Sequence, residues 1–251
     1  MQRRVAGTGR SVSRRRRLPL TRSMATATRW PVGVALTSWR YMWRTTPLYR
    51  SEEAGSWPED APPALPEELV DDDVQRVFDG AGAMFHRRYR ARIRDPRLTP
   101  EELMEQLQRA PDAAAPSEFA TFKKAAGDPE RMRSGDEYVV RMPGPWDGPV
   151  RVVEVTPRCF RLMTLKGHLE AGQIVFRAGG GDGGIEFEIE SWARSGDPLS
   201  DLLYDRLRMS KEIQLHMWTS FLERVIRLSG GTRDGGLLIA TRRLEEVPAA
   251  A

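Results

Sequence analysis

The chain has 251 residues, with 39 Lys and Arg against 35 Asp and Glu, for a formal net charge of +4. Much of the excess arginine sits in the N-terminal tail, including the run Arg14 to Arg17, so the rest is near neutral and a basic face for nucleic acid is not expected of the folded part. The single cysteine, Cys159, excludes an internal disulfide and a thiolate metal cluster. No apolar run reaches the roughly 18 residues of a membrane span, and a reducing, cytoplasmic setting is expected.

Residues 1–26 carry Arg, Ser, Thr and Gly without a hydrophobic period and read as a basic disordered tail. A targeting peptide and a start at Met24 are both open alternatives. Residues 27–82 read as an aromatic-rich arm and linker. Within it, Trp30 to Tyr49 is dense in apolar and aromatic residues, with Pro31 opening and Pro47 closing a short helix. Its thin polar face favours packing across the main domain, while a peripheral membrane or protein contact through the same residues is the alternative. Ser51 to Pro66 reads as a loop.

From Phe85 to Arg94 the sequence alternates. Phe85, Tyr89, Ala91 and Ile93 fall on one side; His86, Arg88, Arg90, Arg92 and Arg94 fall on the other, giving a half-buried strand with a basic outer face. Ile185 to Glu190 mirrors it, with Ile185, Phe187 and Ile189 inside and Glu186, Glu188 and Glu190 outside. The two strands are therefore expected to be antiparallel neighbours joined by an Arg–Glu ladder. Thr99 caps a helix that buries Leu103 and Leu107. A second short helix is expected from Ser117 to Ala126, on Phe119 and Phe122. Strands follow at Tyr138 to Met142, Val150 to Val155, Phe160 to Leu165, Gln173 to Ala178 and Ile185 to Trp192, with connections short enough to make sequential hairpins. Trp192 to Arg194 interrupts the last strand as a bulge would.

Leu199 to Leu228 reads as one long helix. Leu199, Leu203, Leu207, Ile213, Met217, Phe221, Val225 and Leu228 form its apolar stripe, Asp197-Pro198 starts it and Gly230-Gly231 stops it. Ser210 and Gln214 lie inside the stripe, one turn apart, where a solid core would not need them and a cavity would. Residues 232–251 are expected to be a C-terminal tail with a weak strand at Leu237 to Thr241.

The order of strand, two short helices, five-strand meander and long helix resembles the START, Bet v 1-like and polyketide-cyclase-like superfamily (SRPBCC). The segments Gly144-Pro145-Trp146, Thr164 to Gly172 and Ser191 to Ser195 are similar to uncharacterised bacterial members of it. The resemblance covers residues 83–231. It implies an α+β helix-grip fold, in which a curved antiparallel sheet of about six strands wraps the long C-terminal helix, and a cavity for a lipid-like or other small hydrophobic ligand. It brings no shared chemistry.

The ligand would meet Ser210, Gln214, Met217, Phe221, Leu207, Phe187, Ile189 and Trp146. Candidate catalytic residues are His168, Glu170 and Arg194: a His–Glu pair at a cavity mouth can move a proton and an arginine can hold a carboxylate. The bland readings are a turn-organising His168 and a rim arginine. His216 is expected to be solvated. The Gly179 to Gly184 loop leads into a strand and is a hairpin, not a phosphate loop. No metal or cofactor is expected. The leading reading is a non-catalytic binder; the alternatives are a cyclase- or dehydratase-like enzyme, and an interaction protein whose cavity is filled by its own arm. An apolar lining favours the binder, two titratable groups converging inside favour the enzyme, and a plug of Trp39 or Trp43 favours the third.

Overall fold

The computed structural model describes residues 47–54, 57–116, 120–141, 147–181, 183–196 and 209–246. Among the described residues nine strands form one sheet. They are β1 (Leu48–Ala54), β2 (Ala81–Arg94), β3 (Thr121–Ala126), β4 (Glu137–Arg141), β5 (Asp147–Thr156), β6 (Cys159–Thr164), β7 (Glu170–Gly181), β8 (Gly184–Ser195) and β9 (Thr232–Leu244). Their order is β1-β9-β2-β8-β7-β6-β5-β4-β3, and every pair is antiparallel except β1 with β9. Two α-helices occur among the described residues, α1 (Pro100–Arg109) and α2 (Met209–Leu228). The class is α+β, and the sheet is larger than the six strands expected.

Three sequence expectations need correction. Residues 121–126 are the edge strand β3, not a helix; Phe122 instead faces Val140 across the β3–β4 pair. Ser51 to Pro66 is not simply a loop, because residues up to Ala54 complete β1 and Pro58–Asp60 is a 3-10 turn. The strand expected at Leu237 to Thr241 runs the full length of β9 and sits between β1 and β2. The Trp30 to Tyr49 arm lies outside the described residues up to residue 46, and its last two residues belong to β1.

The alternation in β2 and β8 does what it implies. Arg88 stands opposite Glu190, Arg90 opposite Glu188 and Arg92 opposite Glu186. Arg88 Nε donates to Glu190 at 2.6 Å, Arg90 to Glu188, and the outermost pair is 3.7 Å apart. Two of the helix signals act as expected, while the Asp197-Pro198 start and residues 199–208 of the long helix lie outside the described residues. The Thr99 hydroxyl accepts from Glu102 N–H and the Glu102 carboxylate accepts from Thr99 N–H, a reciprocal cap. Gly230 has φ +71°, the left-handed geometry that ends α2 at little cost.

The core lies on the inner face, where α1 and α2 cover Tyr89, Ala91, Ile93, Phe160, Phe176, Phe187 and Ile189. Residues 60–79 strap the outer face. Leu65, Leu69, Val70 and Val74 pack on Val153, Met163 and Leu165, while Val77 packs with Met84, Val175, Trp192 and Leu244. Main-chain carbonyls of the strap accept from sheet side chains: Pro63 from Gln173, Ala64 from Arg161 and Leu69 from Arg151.

Candidate ligand site between the sheet and the long helix

Period-two alternation assigns the inner row. In β2 it is Phe85, Arg87, Tyr89, Ala91 and Ile93; in β8 it is Ile185, Phe187, Ile189, Ser191, Ala193 and Ser195. At the Ile93 end the row is apolar and packed solid. Phe221 of α2 meets Phe176 at 5.4 Å and Phe187 at 6.3 Å between ring centroids, and Trp218 closes on Phe176 edge-on at 5.7 Å. Phe221, Phe187 and Ile189 are fully buried there, so three of the expected ligand contacts are core residues.

Towards the other end the lining changes character. Arg87 replaces an apolar residue on the inner row and is 5 % exposed, with its guanidinium 4.5 Å from the centre of the Phe85 ring. The adjacent Ser191, Ala193 and Ser195 are small and buried. Glu170 opens β7 on the same face, and Gln214 reaches it from α2, its amide donating to Glu170 Oε1 at 2.5 Å. Tyr89 lies between the two zones. Burial pushes its phenol up to about 12; the Arg87 charge works against this rise and Glu170 adds to it. The phenol thus stays protonated, a donor within reach of the field of an Arg and a Glu. Met217 is half-buried on the same helix. Leu207 and Trp146 lie outside the described residues, and Ser210 lies within α2 where only the backbone is described.

The other candidates separate. His168 Nδ1 lies 2.9 Å from the Glu170 main-chain nitrogen and 3.0 Å from its carbonyl oxygen, contacts that make the ring a turn organiser. Burial lowers its pKa, with the Glu170 charge opposing. Arg194 falls on the outward-facing row with Glu190 and Trp192, and its Nε donates to Gly82 O at 2.8 Å; it is a rim residue and not a cavity group. The irregularity near it belongs to β2, between Ala81 and Phe85, while β7–β8 pairing runs unbroken. His216 is 5 % exposed, not solvated as expected. The sheet contacts α2 through β2 and β9 as well, and Leu215, His216, Thr219, Phe221 and Leu222 are all buried, a wider arc than one stripe.

The residue missed was Arg87. Its signal was in the sequence, since an arginine at an odd position of β2 breaks the apolar set of Phe85, Tyr89 and Ala91. Tyr89 was placed inside but not recognised as a polar group there. Among the described residues no cluster of three or more His, Cys, Asp or Glu is arranged to hold a metal, and no helix is long and apolar enough to cross a membrane.

Residues 73–224, more than half of the chain, match the family described as "Domain of unknown function (DUF1990)". The chain belongs to the DUF1990 family. The matched region of this DUF1990 chain runs from the end of the strap to α2 and so contains Arg87, Tyr89, Glu170 and Gln214, but not β1 or β9. No curated protein matches. Solved structures similar to it include a hypothetical protein from Helicobacter pylori, at 8 % identity and TM-score 0.44, covering 66 % of this chain and 95 % of that one. Another is norcoclaurine synthase from Thalictrum flavum, solved with dopamine and hydroxybenzaldehyde, at 9 % identity and TM-score 0.40, covering 63 % and 92 %. A conserved protein from Geobacillus kaustophilus aligns at 10 % identity and TM-score 0.42, covering 59 % and 98 %.

Proposed function

We propose that the chain is a helix-grip protein that binds a small amphipathic molecule between the inner face of the sheet and α2. The observation that carries this reading is the buried Arg87 and Tyr89 with the half-buried Glu170 and Gln214, a polar set at one end of a largely apolar interface. Sheet and helix would associate at lower cost with apolar residues there, because every buried polar group must recover its desolvation through hydrogen bonds. Such a set beside Ser191, Ala193 and Ser195 suits a ligand whose apolar body lies towards Ile174, Phe176 and Trp218 and whose polar end meets the charges. Apolar walls supply affinity and a few polar groups fix orientation. The ligand class is therefore small and lipid-like or hydrophobic with one polar end.

A second reading is an enzyme of cyclase or dehydratase type. The Glu170 charge felt by the buried Tyr89 phenol supports it, since a protonated phenol and a carboxylate facing one ligand can act as acid and base. His168 and Arg194 have no place in it.

Native mass spectrometry of gently purified full-length protein, followed by denaturation, tests the binding reading. A stoichiometric small molecule is expected to be released. Gln214→Leu is expected to weaken its retention about tenfold, about 1.4 kcal/mol, while leaving the unfolding transition within about 1 kcal/mol of wild type. Protein that is empty from several hosts, or a Gln214→Leu variant that is strongly destabilised yet retains ligand as before, overturns it. Turnover of the released molecule by wild type but not by Tyr89→Phe moves the assignment to the enzyme.

A further inference from the structure

The outer face holds a second buried polar cluster that the ligand site does not use. His86, on the basic row of β2, is 4 % exposed, and both its ring nitrogens meet carboxylates. Nδ1 lies 2.6 Å from Asp60 Oδ1 and Nε2 lies 2.8 Å from Glu190 Oε1. Asp60 belongs to the 3-10 turn Pro58–Asp60 and has no exposed surface; Glu190 belongs to β8 and is 4 % exposed. Trp192 stacks on the imidazole at 5.0 Å with an interplanar angle of 11°.

We propose that Asp60, His86 and Glu190 form a proton-dependent latch that fastens the Trp57–Asp60 segment to the outer face of the sheet, closed while the His86 ring carries both protons and loosened when it loses one. The geometry leads there directly. A carboxylate only accepts, so two carboxylates on one ring are both satisfied only if both nitrogens donate. A neutral ring keeps one N–H and turns the other nitrogen's lone pair against a carboxylate oxygen, a repulsion that burial makes costly.

The surrounding charges decide which contact gives way. Glu190 is also held by Arg88 Nε at 2.6 Å and by Arg177 Nη1 at 2.5 Å, from β2 and β7. Arg177 in turn meets Glu188 of β8 at 3.2 Å. Asp60 is held by Arg242 of β9, with Nη1 at 3.1 and 3.3 Å from its two oxygens, and by its own turn through Trp57 N–H at 2.9 Å. Arg242 also reaches Glu53 of β1 at 3.6 Å and lies over the Trp57 ring at 5.6 Å. Glu190 is thus anchored by two sheet arginines on rigid strands, whereas Asp60 rides on a three-residue turn. Loss of a proton from His86 releases the turn. Guanidinium groups do not titrate near neutrality, so the imidazole is the one cation of the cluster that can act as the switch. On the acid side both carboxylates resist protonation: burial raises Asp60, but its hydrogen bonds from His86 and the Trp57 amide hold it below the ordinary value. Burial raises the Glu190 carboxyl, but the hydrogen bonds from His86, Arg177 and Arg88 outweigh it and bring it down to about 2.

The test follows His86 ring signals by NMR in the full chain from about pH 5 to 9. In parallel, hydrogen exchange of residues 57–60 is measured with the intrinsic pH dependence removed. Exchange of the Trp57 and Asp60 amides is expected to rise about tenfold with a midpoint equal to that of His86, while amides of β7 and β8 stay protected. Asp60→Asn, which keeps the sheet pairs and removes one carboxylate, is expected to exchange at the raised rate at every pH with unchanged strand content by circular dichroism. A His86 titration that leaves residues 57–60 protected overturns the latch. So does a ring that keeps both protons throughout the range, or an Asp60→Asn variant whose segment behaves as wild type.

Discussion

On its inner face β2 shows Tyr89, Ala91 and Ile93 to α2; on its outer face the same strand shows His86 to Asp60 of the strap and Arg88, Arg90 and Arg92 to the glutamates of β8. Both faces bury side chains, the outer one only towards its Glu190 end, and by different physics. Each large apolar side chain buried inside contributes about 1.5–3 kcal/mol whatever its neighbour, because the hydrophobic effect has no direction. The charges outside gain only where each meets its partner, since desolvation of an ion otherwise exceeds its Coulomb return. The inner face should therefore tolerate changes of shape that conserve volume. The outer face should tolerate loss of a whole pair better than loss of one member. One strand thus separates two rules of packing residue by residue.

The largest expected effect tests the inner rule. Phe221→Ala removes the ring that joins Phe176, Phe187 and Trp218, and should cost about 3–5 kcal/mol in denaturant unfolding. Phe221→Leu should lose much less, about 1.5 kcal/mol, because the neighbours partly close the space. Equal losses in the two variants would mean that the ring contacts, not the volume, hold α2 to the sheet.

The next effect tests the outer rule through pH. Burial alone would raise Glu190, yet hydrogen bonds from His86, Arg177 and Arg88 hold it down to about 2 from an ordinary 4.5. A carboxyl lowered in the folded state stabilises the fold above its unfolded value and loses that stabilisation as pH falls through the folded value. Such a shift is worth about 3 kcal/mol, and solvent reaching Arg88 and Arg177 reduces it to about 2 kcal/mol. Wild type should lose this amount between about pH 4.5 and 2, and Glu190→Gln should lack that part of the slope. An identical acid slope in the variant would assign the acid sensitivity to other carboxylates.

The sequence carried the inner face well because periodicity records it. The alternation of Phe187 with Glu188, the stripe through Phe221 and Val225, and the Thr99 cap are local patterns, and each became the element expected. Around Phe122, where a short helix was expected, a six-residue segment became an edge strand because β4 offered it a partner, which is information from outside the segment. Arg87 was legible as a break in alternation. Gln214 was legible as a polar residue in the stripe, though its partner Glu170, 44 residues away, was not. Asp60 was not legible at all. Nothing in a Pro- and Glu-rich stretch signals that one carboxylate docks on the outer face against a histidine 26 residues on, because a single pairing between distant elements leaves no period.

The smallest effect divides the outer face within itself. The Arg–Glu ladder runs from a buried end at Glu190 to an exposed end where Arg92 and Glu186 keep 67 % and 46 % of their side-chain surface in water, 3.7 Å apart. An exposed pair of this kind is worth about 0.2–0.5 kcal/mol and is screened by salt. A double-mutant cycle on Arg92 and Glu186 should therefore give a coupling within that range that vanishes near 1 M salt, about one Debye length of 3 Å. The corresponding cycle on Arg88 and Glu190 should keep a coupling several times larger in the same salt, because water and ions do not reach the carboxylate. If both cycles give the same small, salt-sensitive coupling, the strap does not exclude solvent from the outer face. The lowered Glu190 carboxyl would then owe little to the ladder and more to His86 alone.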